Sequence, residues 1–289
     1  MKKLIKSGFL PLFSAGVFSV ILMCFATAWD LDISLFATQM RAASPFLGVF
    51  TYALQLIGEW PGPVFGSFAV AIIIRNISLR AGKYRALAWR LCGFALEYVL
   101  MLYCVRATLA DFSEYRAAYI VSCVMIPASL VMLITVLTER IDKEALTRLY
   151  APAIVTFFAA LAVLIVIQLM KMIWGRVRFR EFGGDTSLFT PWYKINFFSG
   201  HNSFPSGHTA NLTVILAFPI WLRALGKSKR RIVASYIVIS LCVAAMAASR
   251  IFIGAHFLSD VTVGFFIAFA ATEAARLIMN RVYDKIAAA

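Results

Sequence analysis

The chain has 289 residues, of which 62% are apolar and only 15% are charged. Globular domains have about 45–50% apolar and about 25% charged residues, so this composition excludes a typical soluble protein. The formal net charge of +14 would indicate nucleic-acid binding in a soluble protein, but in a membrane protein Lys and Arg accumulate in the cytoplasmic loops. We therefore expect a single integral membrane domain over residues 1–289, without a nucleic-acid partner.

Apolar runs of about 20 residues, the length needed to cross a bilayer, predict about eight transmembrane helices. In chain order these lie near residues 8–28, 61–75, 88–109, 117–138, 149–173, 208–224, 231–249 and 257–280. The second is short, so it either begins within residues 45–60 or follows a stretch that lies flat in the interface. Gly62 and Gly66 have the spacing that lets helices approach closely. The predicted fold class is all-α, a polytopic membrane helical bundle.

The distribution of positive charge predicts the orientation of the bundle. About two thirds of the 28 Lys and Arg lie at the two termini and in the alternate connections on the same side. Cytoplasmic loops carry this excess, so both termini are expected in the cytoplasm. The outer segment 171–200 is the exception, because it holds Lys171, Arg176, Arg178, Arg180 and Lys194. A basic outer segment that departs from the rule indicates a binding function.

The chain contains three histidines, and the predicted topology places all of them on the outer side with these cations. They are His201, His208 and His256. Histidine titrates near neutral pH and Lys and Arg bind anions. The cluster therefore predicts a site that binds an anion and moves protons, and phosphate is the anion that we expect. The five cysteines have no close pair, so neither a disulfide framework nor a zinc motif is predicted.

His256 and Asp260 are four residues apart, a spacing that places two side chains on one face of a helix. The carboxylate can then hold one imidazole N–H and leave the other ring nitrogen free. An imidazole oriented in this way can attack phosphorus and form a phosphohistidine. Arg250, across a turn at Gly254, can donate to phosphate oxygens.

His208 follows Gly207 at the start of the sixth predicted span, where free backbone N–H groups favour an anion. Gly207 permits close approach of the backbone. His208 is then placed to protonate the leaving oxygen as a general acid. Lys171 and Arg178, at the outer end of the fifth span, add charge that stabilises the equatorial oxygens of a phosphoryl transition state.

The order and spacing of these residues resemble the three-part signature of the type 2 phosphatidic acid phosphatase (PAP2) superfamily of membrane lipid phosphatases. The three parts are Lys171 with six residues to Arg178, then Pro205-Ser206-Gly207-His208, then Ser249-Arg250 with five residues to His256 and three more to Asp260. The resemblance covers about residues 149–260, within a motif-bearing portion at 149–280. Two features differ from the family pattern: Phe179 replaces a proline, and two helices near 88–138 are additional to a six-helix core.

The resemblance implies hydrolysis of a phosphoester or pyrophosphate without a metal or other cofactor. It implies His256 as the nucleophile, Asp260 as the residue that orients it and His208 as the acid. The residues that it implies for phosphate binding are Lys171, Arg178, Ser206, Gly207 and Arg250. His201 belongs to none of the motifs and is expected in the loop or behind the site.

The expected substrate is a membrane lipid phosphate or pyrophosphate, with undecaprenyl pyrophosphate, lipid A and phosphatidylglycerol phosphate left open. We expect cleavage at the periplasmic face of a cell inner membrane, with no obligate protein partner. One alternative is a lipid-to-lipid phosphotransferase of the same family, and another is a transporter for a phosphate-bearing solute. A third is a metal-dependent hydrolase that uses His201, His208, His256 and either Asp185 or Asp260.

Overall fold

A computed structural model describes residues 10–109 and 113–288, with side chains to residue 281. Within these residues the chain is helical and contains no β-strand. Seven of its helical stretches are long and apolar enough to cross a membrane. The predicted all-α membrane bundle is therefore confirmed. Lys2, Lys3 and Lys6, three of the charges used to predict the orientation, lie outside the described residues.

Ten α-helices follow one another in the described part of the chain. They are α1 (Leu10–Ala43), α2 (Pro45–Ile57), α3 (Pro61–Arg80), α4 (Lys83–Thr108), α5 (Arg116–Glu139), α6 (Lys143–Trp174), α7 (Gly207–Thr213), α8 (Phe218–Ala224), α9 (Lys229–Phe252) and α10 (Leu258–Ala288). Short 3-10 turns lie at Phe179–Glu181, Thr186–Leu188 and Val214–Ala217. The stretch at 45–60 thus forms a helix of its own, α2, before α3 begins at Pro61.

The sixth predicted span, 208–224, is not one continuous α-helix, so the prediction is wrong in this detail. The structure divides it into α7, the 3-10 turn Val214–Ala217 and α8. Pro219 lies in the first turn of α8 and has no amide hydrogen to donate to a carbonyl one turn earlier. The helical ladder is therefore interrupted where α8 begins.

The first helix is longer than the predicted 8–28, because α1 continues to Ala43 past a kink at Trp29 (φ −130°, ψ 15°). An apolar scan ends at Asp30, whose charge is costly in a membrane span. In the fold Asp30 is buried and paired with Arg176, and this pairing lets the helix run on. The extension brings the acidic residue to the functional end of the bundle.

Two packing units hold the bundle together. The long helix α10 contacts α1, α6 and α7, while α3 contacts α4, α5 and α6. Gly264 of α10 makes one close approach possible, because a Cβ there would lie 2.5 Å from the carbonyl oxygen of Ser206. This close approach fixes the segment that leads into α7 against α10. Between α6 and α8, the Trp221 indole donates to the Thr156 hydroxyl at 2.9 Å.

The predicted close approach at the two glycines of α3 holds for one of them. A Cβ on Gly62 would lie 3.1 Å from the Asn211 carbonyl oxygen, so α3 and α7 meet there. A Cβ on Gly66 would find its nearest neighbours, Ala160 and Leu100, at 4.0 Å. Gly62 thus serves helix packing, whereas Gly66 faces a wider space.

Candidate active site

A polar cavity of about 340 Å³ lies where α6 ends and α7 begins. Most of the residues that the sequence predicted for the site line it, namely Lys171, Arg178, Gly207, His208, Arg250 and His256. Arg180 and Glu59, which the sequence analysis did not select, line it as well. The fold therefore brings together three separated motifs and adds a carboxylate from the first third of the chain.

His256 does not lie on a helix with Asp260, so the predicted shared helical face is wrong. It lies in the short connection between α9 and α10, after a turn at Gly254 whose φ of +70° favours glycine. Its Nδ1 is 2.5 Å from the Ser203 carbonyl oxygen. A carbonyl oxygen only accepts hydrogen bonds, so Nδ1 carries the hydrogen. Nε2 is the nitrogen whose lone pair remains for chemistry at the pocket.

Asp260 supports this arrangement from behind the pocket wall. Its Oδ2 is 3.5 Å from His256 Nδ1, farther than the Ser203 carbonyl. The same oxygen accepts from the Ser203 hydroxyl at 2.5 Å and from the Phe257 backbone N–H at 2.9 Å. A side chain that bonds back to the N–H at a helix start is a cap. Asp260 thus fixes Ser203 and the start of α10, and these in turn fix His256.

The electrostatics of His256 suit a nucleophile. Burial lowers the pKa of the His256 imidazole to about 4, against the opposing effect of its hydrogen bond and charge interaction with Asp260. Burial dominates because it penalises the charged form of the ring. The imidazole is therefore neutral near neutral pH, and its lone pair is available.

Arg176, which the sequence grouped with the anion-binding cations, does not line the pocket. It is completely buried, with Nη1 2.7 Å from Asp260 Oδ1 and Nη2 3.0 Å from Asp30 Oδ2. Its guanidinium carbon lies 3.9 Å from the centre of the Phe257 ring, a cation–π contact. Its Nε also donates to the Thr190 carbonyl oxygen at 2.8 Å, so all three guanidinium nitrogens are hydrogen-bonded within the protein. Arg176 is therefore a structural residue behind the site.

Sequence reasoning missed Asp30, since it is 146 residues from Arg176 and has no motif around it. It accepts from Ser259 twice, through the backbone N–H at 3.0 Å and the hydroxyl at 2.5 Å. The one signal in the sequence is a carboxylate next to an apolar run, which is costly without a partner. That signal indicates a partner but cannot identify it.

The Lys and Arg side chains at the pocket have N–H groups that can donate hydrogen bonds to a bound anion. Arg178 Nε is buried and has no hydrogen-bond partner among the residues that the structure describes. Arg250 is 1% exposed, and its Nη2 contacts the Thr51 carbonyl oxygen at 3.4 Å. Lys171 Nζ lies beside Gly207, where an added Cβ would come within 3.4 Å of it. Donors with unused capacity around a cavity are suited to phosphate oxygens.

His208 lies in the first turn of α7 and meets the end of α2. Its Nδ1 is 3.4 Å from Glu59 Oε1, and Tyr103 donates to the other oxygen, Oε2, at 3.3 Å. A Cβ on Gly58 would collide with the imidazole ring, so the absence of a side chain there makes room for His208. Glu59 is thus a neighbour that could hold a proton-bearing His208. No local motif indicated it, because α2 and α7 are far apart in sequence.

The remaining predicted residues lie outside the cavity. Ser206 is buried, its hydroxyl is 3.1 Å from that of Thr209, and its backbone N–H donates to the Asp260 carbonyl oxygen. His201 is exposed and pairs with Glu181 at 3.1 Å, as expected for a loop residue. Asp185 accepts from the Ser187 N–H at 2.9 Å, and hydrogen bonds from the Ser187 side chain and then its backbone lower the pKa of the Asp185 carboxyl group.

A metal site was the alternative that involved these outer residues. Within residues 10–109 and 113–288, no group of three or more His, Cys, Asp or Glu side chains is placed to hold a metal ion. His201 and Asp185 do not line the cavity that contains His208 and His256. The described structure therefore does not bring His201 and Asp185 together with His208 and His256, as the metal-dependent alternative requires.

Phe179, which replaces the family proline, begins a 3-10 turn and packs under the His256 connection. Its ring centre is 5.4 Å from that of Phe182 and 6.4 Å from that of Phe257. A Cβ on Gly254 would lie 3.1 Å from the Phe179 ring. The next backbone N–H, of Arg180, donates to the Gly254 carbonyl oxygen at 2.9 Å. Phe179 therefore directs the chain along the turn that carries His256.

Comparison with known proteins gives one match. The model of the PAP2 superfamily matches residues 152–284, a range that contains every residue the sequence predicted for the site. No curated protein and no solved structure matches the chain. Asp30, Glu59 and Tyr103 precede the matched range, so these contacts to the site come from the preceding helices.

We expect Arg176→Met to lower the free energy of unfolding by about 3–5 kcal/mol, because it leaves two buried carboxylates without their cation. The measurement is unfolding of the purified protein in detergent. Arg148→Met is the matched control: Arg148 pairs with Glu144 at 2.5 Å on an exposed surface, and such pairs contribute about 1 kcal/mol or less. Equal stability of the two variants would contradict the structural role of Arg176.

Proposed function

Since the chain belongs to the PAP2 superfamily, whose members are phosphatases, we propose that it removes phosphate from a membrane lipid phosphate or pyrophosphate through a phosphohistidine intermediate. One observation carries the proposal: a buried neutral imidazole, with Nδ1 committed to a carbonyl, lines a pocket rich in Lys and Arg. A nucleophile beside an anion site is the arrangement that phosphoryl transfer requires.

In the first step, His256 Nε2 attacks phosphorus and the bond from phosphorus to the leaving oxygen breaks. His208 gives its proton to that oxygen, and an alcohol or a shorter phosphate departs. Lys171, Arg178 and Arg250 stabilise the charge on the equatorial oxygens. The positive charge that develops on the His256 ring is stabilised by the Ser203 carbonyl and by Asp260.

In the second step, water attacks the phosphohistidine. His208, now without its proton, accepts one from the water, and the bond between phosphorus and Nε2 breaks. Inorganic phosphate leaves, and both histidines return to their starting states. If a lipid hydroxyl attacked in place of water, the same residues would transfer the phosphoryl group to a lipid.

Glu59 has a place in this cycle as a positioning residue. A carboxylate in a pocket for phosphate opposes substrate binding, so its presence there needs a compensating benefit. Burial and the charges of Arg250 and Lys171 lower the pKa of the His208 imidazole. A carboxylate 3.4 Å from Nδ1, that of Glu59, opposes this effect and favours the proton-bearing ring that the acid role requires. Tyr103 holds the carboxylate in place.

A lipid substrate is supported by the location of the site at the end of apolar helices that are long enough to cross a membrane. Leu164 and Ile167 of α6 line the same pocket as the cations. An amphiphile can reach such a site from within the bilayer, with its phosphate at the polar end. Undecaprenyl pyrophosphate, lipid A and phosphatidylglycerol phosphate are the substrates to compare.

We expect His256→Ala to reduce phosphate release from these lipids to background, because it removes the attacking nitrogen. His201→Ala is the matched control: this histidine is exposed and does not line the pocket, so its activity should remain near that of the unmodified protein. EDTA should leave the unmodified protein active. Turnover by His256→Ala would disprove the nucleophile, and a loss in EDTA that zinc or magnesium restores would favour a metal mechanism.

The role of His208 depends on the leaving group, because a poor leaving oxygen needs a proton and an activated one does not. His208→Ala should lower kcat for a lipid monoester by about 10²-fold or more, and that for p-nitrophenyl phosphate far less. Glu59→Gln should also lower kcat for the lipid monoester more than kcat for p-nitrophenyl phosphate, but by a smaller factor than His208→Ala does. Arg250→Ala, the comparison variant, should lower both rates. Equal losses in His208→Ala, with chemistry rate-limiting, would contradict the acid role.

We propose that the pocket faces the periplasm of a cell inner membrane, with both termini cytoplasmic; the charge distribution supports this orientation. Single cysteines replace Ser199 and Lys227, both exposed positions, in a background without the native cysteines. In intact spheroplasts of a bacterial host, an impermeant thiol reagent should label only the first. After permeabilisation it should label both. The opposite result in intact spheroplasts would invert the orientation.

A further inference from the structure

A second cavity, of about 300 Å³, lies between α3, α4 and α6 beside the phosphate pocket. Apart from Tyr103 and Asn211, the residues that line it are apolar or glycine. Tyr103, Leu164 and Asn211 line both cavities. The polar pocket therefore continues into an apolar groove, and its two polar lining residues are found where the cavities meet.

Gly66 contributes to the open space in this groove. A Cβ at this position would find its nearest neighbours at 4.0 Å, whereas one on Gly62 would press on the Asn211 backbone at 3.1 Å. Close helix packing thus requires the glycine at 62 and not the one at 66. A larger side chain at 66 would occupy the groove.

Helix α4 contributes one wall of this groove. Leu96, Val99, Leu100 and Tyr103 have the spacing of a single helix face and all line the groove. Helix α4 precedes residues 152–284, the range that the family model matches. Leu96 and Val99 are 40% and 60% exposed, so the groove is open on the side of the apolar surface.

We propose that this groove binds a hydrocarbon chain of the substrate while the substrate's phosphate occupies the adjoining pocket, and that α4 thereby selects for long-chain substrates. The inference rests on the proposed function. An amphiphile has its polar and apolar parts joined, as these two cavities are. A polar partner could not satisfy its hydrogen bonds against this lining, whereas each buried methylene contributes favourably.

A comparable groove elsewhere on the bundle provides a control. It lies between α6 and α10, is lined by residues that include Ala162, Phe158 and Ile278, and shares no residue with the phosphate pocket. Lipid chains of the bilayer can fill both grooves, but a substrate with its phosphate in the pocket can reach only the first. Ala160 and Ala162 lie on the same helix and line different grooves.

The experiment measures phosphate release from dioleoyl and dihexanoyl phosphatidic acid, which share one head group, in detergent micelles. The groove variants are Gly66→Leu and Ala160→Leu, and Ala162→Leu is the control. Each groove variant should lose at least about tenfold (about 1.4 kcal/mol) in kcat/KM for the long-chain substrate. Activity on the short-chain substrate should stay within about twofold of the unmodified protein, which also shows that the variants are folded. Leucine is a better helix former than glycine, so α3 should tolerate the change.

The outcomes separate the two proposals. If both groove variants keep the unmodified ratio of long-chain to short-chain kcat/KM, or if Ala162→Leu changes it as much, the groove does not bind the chain. The lipid phosphatase proposal would then stand on the activity of the unmodified protein. If the unmodified protein releases phosphate from neither substrate while it cleaves p-nitrophenyl phosphate, selection for long acyl chains of phosphatidic acid is disproved. The lipid phosphatase proposal itself fails if undecaprenyl pyrophosphate, lipid A and phosphatidylglycerol phosphate are not cleaved either.

Discussion

The buried guanidinium of Arg176 between Asp30 and Asp260 is the interaction on which the rest of the site depends. It joins α1, the segment after α6 and the first turn of α10 at distances of 2.7 Å and 3.0 Å. A buried charge is stable only when it is paired and hydrogen-bonded. Hydroxyl groups of Ser203 and Ser259 also donate to the two carboxylates, and the face of the Phe257 ring packs against the guanidinium.

Each reacting group takes its position from this network or from the backbone next to it. Asp260 holds the Ser203 hydroxyl, the Ser203 carbonyl holds His256, and the Asp260 carbonyl holds the N–H that precedes α7. The groups behind His256 are therefore hydrogen-bonded to one another, while the pocket side includes a donor without a partner among the described residues, Arg178 Nε. Rigid support behind and unsatisfied donors in front is the preorganisation that electrostatic stabilisation of a transition state requires.

The helices before the matched domain add contacts on three sides of this centre. Asp30 of α1 supports it from behind, Glu59 after α2 meets His208, and Tyr103 of α4 holds Glu59 and borders the apolar groove. The proposed nucleophile and acid lie within the matched range, whereas the α4 wall of the groove precedes it. We therefore expect the helices before the matched range to contribute to substrate selectivity.

The sequence alone determined the membrane class, the helical fold and the three motifs, because apolar runs and short spacings are local properties of a chain. It predicted Lys171, His208, Arg250 and His256 at one pocket, and they are found there. Only the tertiary structure decided which carbonyl holds His256, that Arg176 faces inward, and that Asp30 and Glu59 belong to the site. These contacts join residues that are distant in sequence, and burial and hydrogen-bond geometry exist only after the helices have packed.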